Sequence, residues 1–267
     1  MKLTKTKWEG RVTAAIVEEG FVRPIPNYNI LSLIERSEIE KTSLSKLAGM
    51  LASAHPISAE PVLPLSPREV WACGRTYGAV PQSPSGEARP VIFFKGTTRN
   101  CVGPGEPIGI RPDSACTIPE AELAVVLGSH GAIVGYTLAN DVSAIDIDRE
   151  DPGFQPQAKL FDACCALGPA IVTADELTEP YSLELACTIT RAGETIFSAS
   201  ANTSGLNRKI ETLVEYLLRG NSVPRGSVLL TGCGLRVPPE AALQPGDICS
   251  ISAPEIGELT NPVSRLS

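Results

Sequence analysis

From residue 68 onward the chain alternates short apolar runs with turn-forming residues. The runs are Val70-Trp71-Ala72-Cys73, Val91-Ile92-Phe93-Phe94, 121–127, 133–139, 170–173, 183–190, 228–231 and 248–253, and Gly, Pro, Asn or Asp bounds most of them. Runs of this length and punctuation predict β-strands. One stretch has another period: Leu206, Ile210, Leu213, Val214, Leu217 and Leu218 recur at helical spacing. Thr203 or Ser204 is placed to cap its start, and Gly220 stands where a glycine ends helices. Many strands with one good helix predict an α+β fold, mainly β, not an alternating β-α-β chain.

The first 65 residues read differently. Arg11 to Val17 is an apolar run, Glu18-Glu19-Gly20 a turn, and Phe21-Val22 resumes, which predicts a hairpin. Leu31, Ile34 and Ile39 follow on a polar background. Thr42 or Ser43 is placed to cap a helix carrying Leu44, Leu47, Ala48 and Leu51 on one face. Pro56, Pro61, Pro64 and Pro67 then exclude a continuing helix or a central strand. The expected division is a small N-terminal domain, 1–65, and a larger domain, 66–267.

Composition narrows the classes. The 267 residues are 43% hydrophobic and 20% charged, an ordinary globular mix. Lys+Arg 23 against Asp+Glu 30 gives a net charge of −7, which repels a polyphosphate backbone, so no nucleic-acid partner is expected. No apolar run reaches the roughly 18 residues that span a bilayer. Met1 to Trp8 carries charge with no apolar core behind it. No membrane association, no secretory signal and a cytoplasmic location are the expectations. The eight cysteines contain no C-x-x-C pair and are read as reduced thiols packed as small hydrophobes. His55 and His130 are the only histidines, and both are read as structural or exposed.

The informative stretch is Thr117-Ile118-Pro119-Glu120-Ala121-Glu122-Leu123-Ala124-Val125-Val126-Leu127. Side chains alternate along a strand, so Glu120 and Glu122 share a face. Gly128-Ser129-His130-Gly131 reads as a turn and 132–141 as the returning strand. If Leu127 pairs with Ala132, Glu122 faces Thr137, Glu120 faces Ala139, and Asp141 shares their face roughly 7 Å further on. A one-residue slip would send Asp141 to the opposite side. No Lys or Arg lies between Asp113 and Arg149 to neutralise these acids. Three converging carboxylates without His or Cys suit a hard divalent ion, Mg²⁺, Mn²⁺ or Ca²⁺. Spacing alone does not separate this from the polar face of a half-exposed strand. Lys159, after Pro156-Gln157-Ala158, is a candidate to hold an oxyanion or move a proton beside such a centre.

Pro119 to Leu127, Gly135 to Ala144, Lys159-Leu160-Phe161-Asp162 with Leu167-Gly168-Pro169, Leu230-Thr231-Gly232-Cys233-Gly234, 243–247 and 256–263 form an ordered series that resembles the fumarylacetoacetate hydrolase family. The segments 89–95, 100–106 and 157–166 look most like its 2-keto-3-deoxy-D-arabinonate dehydratase-like branch. The resemblance implies a mixed β-roll or sandwich with a small N-terminal α/β module, in homodimers or homotetramers. It implies Mg²⁺ on Glu120, Glu122 and Asp141, with Lys159 as the catalytic group. It further implies a small-molecule substrate contacted from among Arg75, Tyr77, Lys95, Asp148, Gln157 and Thr231. The expected chemistry is a metal-stabilised enolate of a 2-oxo acid or 1,3-dicarbonyl, with dehydration leading. A tautomerase, decarboxylase or cyclase, a C–C hydrolase and a silent member are the alternatives. Hydrolase members carry a His-Glu pair after the segment matching Gly74-Arg75-Thr76-Tyr77; here 78–86 has no His and is too short for their lid helix. Ile145 stands where the family's Ser-Ala-Arg-Asp has its arginine, and Arg75 or Arg149 is expected to compensate.

Overall fold

Three antiparallel strands, β1 (Lys2–Trp8), β2 (Arg11–Glu18) and β3 (Phe21–Ile25), precede helices α1 (Ile30–Glu40) and α2 (Leu44–Leu51). Next come β4 (Val70–Gly74), the short pair β5 (Gln82–Ser83) and β6 (Gly86–Glu87), β7 (Val91–Gly96), β8 (Cys101–Val102), β9 (Ile108–Ile110) and β10 (Thr117–Ile118). The hairpin β11 (Ala121–Leu127) and β12 (Ile133–Asp141) leads into β13 (Ser143–Ala144), α3 (Ile145–Glu150), α4 (Gln155–Lys159) and β14 (Cys165–Thr173). The chain ends with β15 (Glu184–Arg191), β16 (Glu194–Asn202), α5 (Ile210–Leu218), β17 (Ser227–Cys233), β18 (Ile248–Ala253) and β19 (Gly257–Arg265). This computed structural model describes residues 1–60, 62–80, 82–83 and 86–267. Pro61 of the proline-rich stretch, and Pro81, Pro84 and Ser85 of the 78–86 loop, lie outside the described residues.

The strands form a mixed ten-stranded sheet, β3-β2-β1-β14-β12-β11-β17-β4-β7 with β8 on β14, and a five-stranded sheet, β16-β15-β18-β19-β9. The β17·β4, β14·β8 and β19·β9 junctions are parallel. The mainly β, sandwich-like architecture is the expected one. β15, β18 and β19 press on β11, β12 and β14, while α1 packs on β1 and α5 on β17. Every residue of β11 is therefore buried, on both faces of the strand. Fully buried Leu123, Val125 and Leu127 anchor it, each contributing roughly 1.5–3 kcal/mol. No described helix is long and apolar enough to cross a membrane.

The N-terminal hairpin and Ser43-capped helix form where the pattern places them. β1 went unread because its inward residues, Thr4 and Thr6, are polar; it pairs Leu3 with Ile171 of β14 and so carries the N-terminal strands onto the main sheet. The helix near 206 starts later than its apolar pattern suggests. α5 begins at Ile210 after Lys209, with no side-chain cap, and Thr203 to Gly205 is a separate 3-10 turn capped by Asn202. β16 is an edge strand with no apolar alternation strong enough to show in sequence.

Candidate active site

The register of the β11·β12 hairpin decides the site. Glu122 pairs with Ala139 and Ala121 with Asn140, and the Asp141 N–H donates to the Glu120 carbonyl at 2.9 Å. This is two residues away from the register expected from the turn. A bulge at Val126/Leu127 and a 3-10 turn with left-handed His130 and Gly131 absorb the difference. A shift of two preserves the face. It also sets Asp141 opposite Glu120 instead of further along the strand. Carboxylate oxygens of Glu120, Glu122 and Asp141 all lie within 4.8 Å of one another.

Two lysines reach this cluster from different elements. Lys95, from β7, is 0% exposed; its Nζ lies 2.5 Å from Asp141 Oδ1 and donates to the carbonyls of Val142 at 2.8 Å and Lys159 at 2.5 Å. Lys159, the last residue of α4, donates to Ser143 Oγ at 2.5 Å, to Asp141 Oδ2 at 3.4 Å and to Glu120 Oε2. Ser143 Oγ is in turn 3.0 Å from Glu120 Oε2. Phe93 places its ring 5.6 Å from Lys159 Nζ. Ser143 and Phe93 were not singled out in the sequence. Ser143 had a signal, two residues past Asp141; Phe93 read only as core.

The charges do not balance. Three carboxylates face two ammonium groups, leaving one negative charge. Glu122 bears it. Burial, then Asp141 and Glu120, push its carboxyl well above the ordinary value, and its one described hydrogen bond is from Gly232 N–H, at 2.5 Å. For Asp141, burial also disfavours the charge, but Lys159 and Lys95 outweigh it and hold the group below the ordinary value. Lys159 is likewise opposed by burial and held up by Asp141 and Glu120, so it is an ammonium ion. A proton-hungry buried glutamate and an all-oxygen donor set fit a hard divalent cation such as Mg²⁺.

Gly232 can make its contact because it has no side chain. Its φ is +103°, and a Cβ there would lie 1.8 Å from Thr76 Oγ1. Gly232→Ala is expected to lower stability by about 1–3 kcal/mol through backbone strain and to weaken divalent-ion binding by loosening Glu122. Urea unfolding and calorimetric Mg²⁺ titration of the same preparation check both effects.

Above the cluster opens a cavity of about 470 Å³, walled by Arg75, Val91, Phe93, Asp148, Gln155, Lys159 and Cys233 among others. A hollow of about 510 Å³ lies on the N-terminal hairpin between Trp8, Arg11 and Tyr28. Glu9 is its one acid, so nothing there matches the charge cluster. Of the candidate substrate contacts, Arg75 and Asp148 are on the 470 Å³ cavity wall. Lys95 is not; it lies fully buried beneath Asp141. Gln157 is exposed off the wall, and Gln155, two residues earlier on α4, lines it instead. Thr231 is fully buried, its hydroxyl donating to the Leu123 carbonyl at 2.8 Å. The Tyr77 hydroxyl is buried and has no hydrogen-bond partner among the described residues. Burial, then Glu122 and Cys233, raise its pKa above the ordinary value. Arg149 is exposed and off the wall, and neither exposed histidine lines it.

The family model for the fumarylacetoacetate (FAA) hydrolase C-terminal region matches residues 69–264. The 2-dehydro-3-deoxy-D-arabinonate dehydratase of Saccharolobus solfataricus is 37% identical over 99% of this chain and 97% of its own length. A probable 2-keto-3-deoxyxylonate dehydratase of Haloferax volcanii is 38% identical over 86% of each chain. A solved structure of 2-keto-3-deoxy-D-arabinonate dehydratase complexed with magnesium and 2,5-dioxopentanoate superposes with a TM-score of 0.84 at 35% identity, covering 100% of this chain and 99% of that one.

Proposed function

The chain belongs to the fumarylacetoacetate (FAA) hydrolase family, and from that membership we propose that it is a magnesium-dependent dehydratase of 2-keto-3-deoxy sugar acids. The observation that carries this reading is the cluster of Glu120, Glu122 and Asp141 with Lys159 at the floor of a polar cavity. The three carboxylates would hold Mg²⁺, which when bound supplies a Lewis acid that polarises the 2-oxo group and acidifies the adjacent C3–H. Lys95 fixes the Asp141 carboxylate from below, and Ser143 fixes the direction of Lys159. Dehydration breaks the C3–H and C4–O bonds and releases water. The C3 proton passes to a carboxylate on the cavity wall, for which Asp148 is placed, and Lys159, kept protonated by its carboxylate neighbours, gives its proton to the departing C4 oxygen, which leaves as water. Val91 and Phe93 give the cavity an apolar wall.

A C–C hydrolase needs a base to activate water, and among the described residues no histidine lines the cavity. A silent scaffold leaves two lysines aimed at one acid cluster without a purpose. The same proposal includes a cytoplasmic location, supported by eight free cysteines. It also includes a homodimer or homotetramer, supported by exposed Phe94 packed on Trp71 at the β7 edge of the main sheet; light scattering measures that state.

Purified protein with Mg²⁺ is expected to dehydrate 2-keto-3-deoxy-D-arabinonate or the xylonate analogue, followed as the carbonyl product. EDTA should stop the reaction and added Mg²⁺ restore it. No turnover of either acid, or turnover indifferent to EDTA, overturns the proposal.

A further inference from the structure

We propose that Arg75 reads the distal end of the substrate and that Asn207 is its positioning residue. This rests on the dehydratase reading above. The strand order β11-β17-β4 puts Arg75, just past the end of β4, two strand spacings from Glu122. At about 4.8 Å per spacing that is roughly 10 Å of backbone separation. A 2-oxo acid gripped through its first two carbons extends about 5 Å over four carbon–carbon bonds, at about 3.5 Å per three bonds. The arginine side chain spans what is left. Its guanidinium therefore meets the C5 hydroxyl of a five-carbon acid.

The local structure is built to present this residue. Arg75 lines the cavity, is exposed, and has no carboxylate partner among the described residues. Its five N–H donors are left for a ligand. It is held in the left-handed region, φ 57°, which arginine rarely adopts. Asn207 stabilises that conformation. Its Nδ2 donates to the Arg75 carbonyl at 3.0 Å and its backbone N–H to the Thr76 carbonyl at 2.7 Å. Its own Oδ1 accepts from Arg208 Nη1 at 3.1 Å. Asn207 is not on the cavity wall, so it acts only through the turn that aims Arg75. The ligand class is a 2-oxo acid with a hydroxyl on the carbon beyond the leaving group.

The test compares 2-keto-3-deoxy-D-arabinonate with 4-hydroxy-2-oxopentanoate, which keeps C1 to C4 with the leaving hydroxyl and ends in a methyl group. The wild-type protein is expected to favour the hydroxyl-bearing acid in kcat/KM by about ten- to a hundredfold, the worth of one hydrogen bond from a charged donor. Arg75→Ala should remove most of that ratio, mainly through KM. Arg75→Lys, which keeps the charge and loses the fork, should remove part. Asn207→Ala should lower the ratio in the same direction, but not further in the Arg75→Ala background. An Arg75→Ala ratio equal to wild type overturns the proposal, as does an Asn207→Ala loss equal for both acids in both backgrounds. Calorimetric Kd values for the two acids with Mg²⁺ present separate the two readings. Absent turnover with an Arg75-dependent Kd ratio sinks the dehydratase reading alone, and a Kd ratio unmoved by Arg75→Ala sinks this one.

Discussion

Glu122→Gln is expected to lower turnover of the 2-keto-3-deoxy acid by about three powers of ten while making the metal-free protein more stable. The first effect follows from losing one of three metal-holding carboxylates, a loss of several kcal/mol in transition-state charge stabilisation. The calorimetric heat of Mg²⁺ binding should disappear with it. The second effect follows from the charge count. Glu122 is 1% exposed and shares its site with Glu120 and Asp141. Its folded-state pKa lies above its unfolded one, so the unfolded chain releases this proton first. Metal-free stability therefore falls as pH rises from the unfolded value towards the folded one. A glutamine fills the same space and has no proton to hold. In EDTA at neutral pH the variant should melt above the wild type, and saturating Mg²⁺ should raise the wild type alone. A variant that melts lower in EDTA, or that turns over normally, contradicts this account of the cluster.

Lys95→Met should be the most destabilising single change near the site. Lys95 and Asp141 are 0% and 1% exposed and in direct contact, 2.5 Å apart. Removing the cation leaves a buried carboxylate short of its partner, a cost of about 3–5 kcal/mol. Urea unfolding in EDTA measures it, and Lys95→Met with Asp141→Asn should recover part of the loss. The pH limbs add a second check. Asp141 is held below the ordinary carboxylate value by Lys159 and Lys95 against its burial. Its contribution is complete above the unfolded pKa and is lost as pH falls through the lower, folded pKa. Lys95 is raised, Asp141 outweighing its burial. Its contribution is complete below the unfolded lysine value and is lost only as pH rises through the folded one. Without Lys95 the acid limb should move to higher pH. An acid limb that stays in place would mean that Lys159 alone holds Asp141.

Lys95 also shows where reading a sequence stops. The residue matched a pocket lysine, yet the cavity never touches it. Forty-six positions separate it from Asp141, and only the packing of β7 and α4 around the end of β12 brings the two together. The same holds for α4. Five residues are too few to show a helical period, so nothing in the string says that Gln155 lines the cavity and Gln157 faces water. Thr231 looked like a substrate contact, but the bulge where β17 meets β11 turns its hydroxyl onto the Leu123 carbonyl.

The chain's local pattern determined a good deal by itself. Strand periodicity set Glu120 and Glu122 on one face, apolar runs marked β4, β7, β11, β12 and β18, and the want of basic residues around the acids called for a cation. Those are nearest-neighbour properties, fixed by backbone geometry and side-chain alternation over a few residues. Tertiary structure alone decided the two-residue register shift that set Asp141 opposite Glu120, the role of each lysine, and which arginine faces the cavity. Each of these depends on contacts between segments far apart in the chain. Their energies come from burial and charge pairing, which exist only once the two sheets have closed on one another.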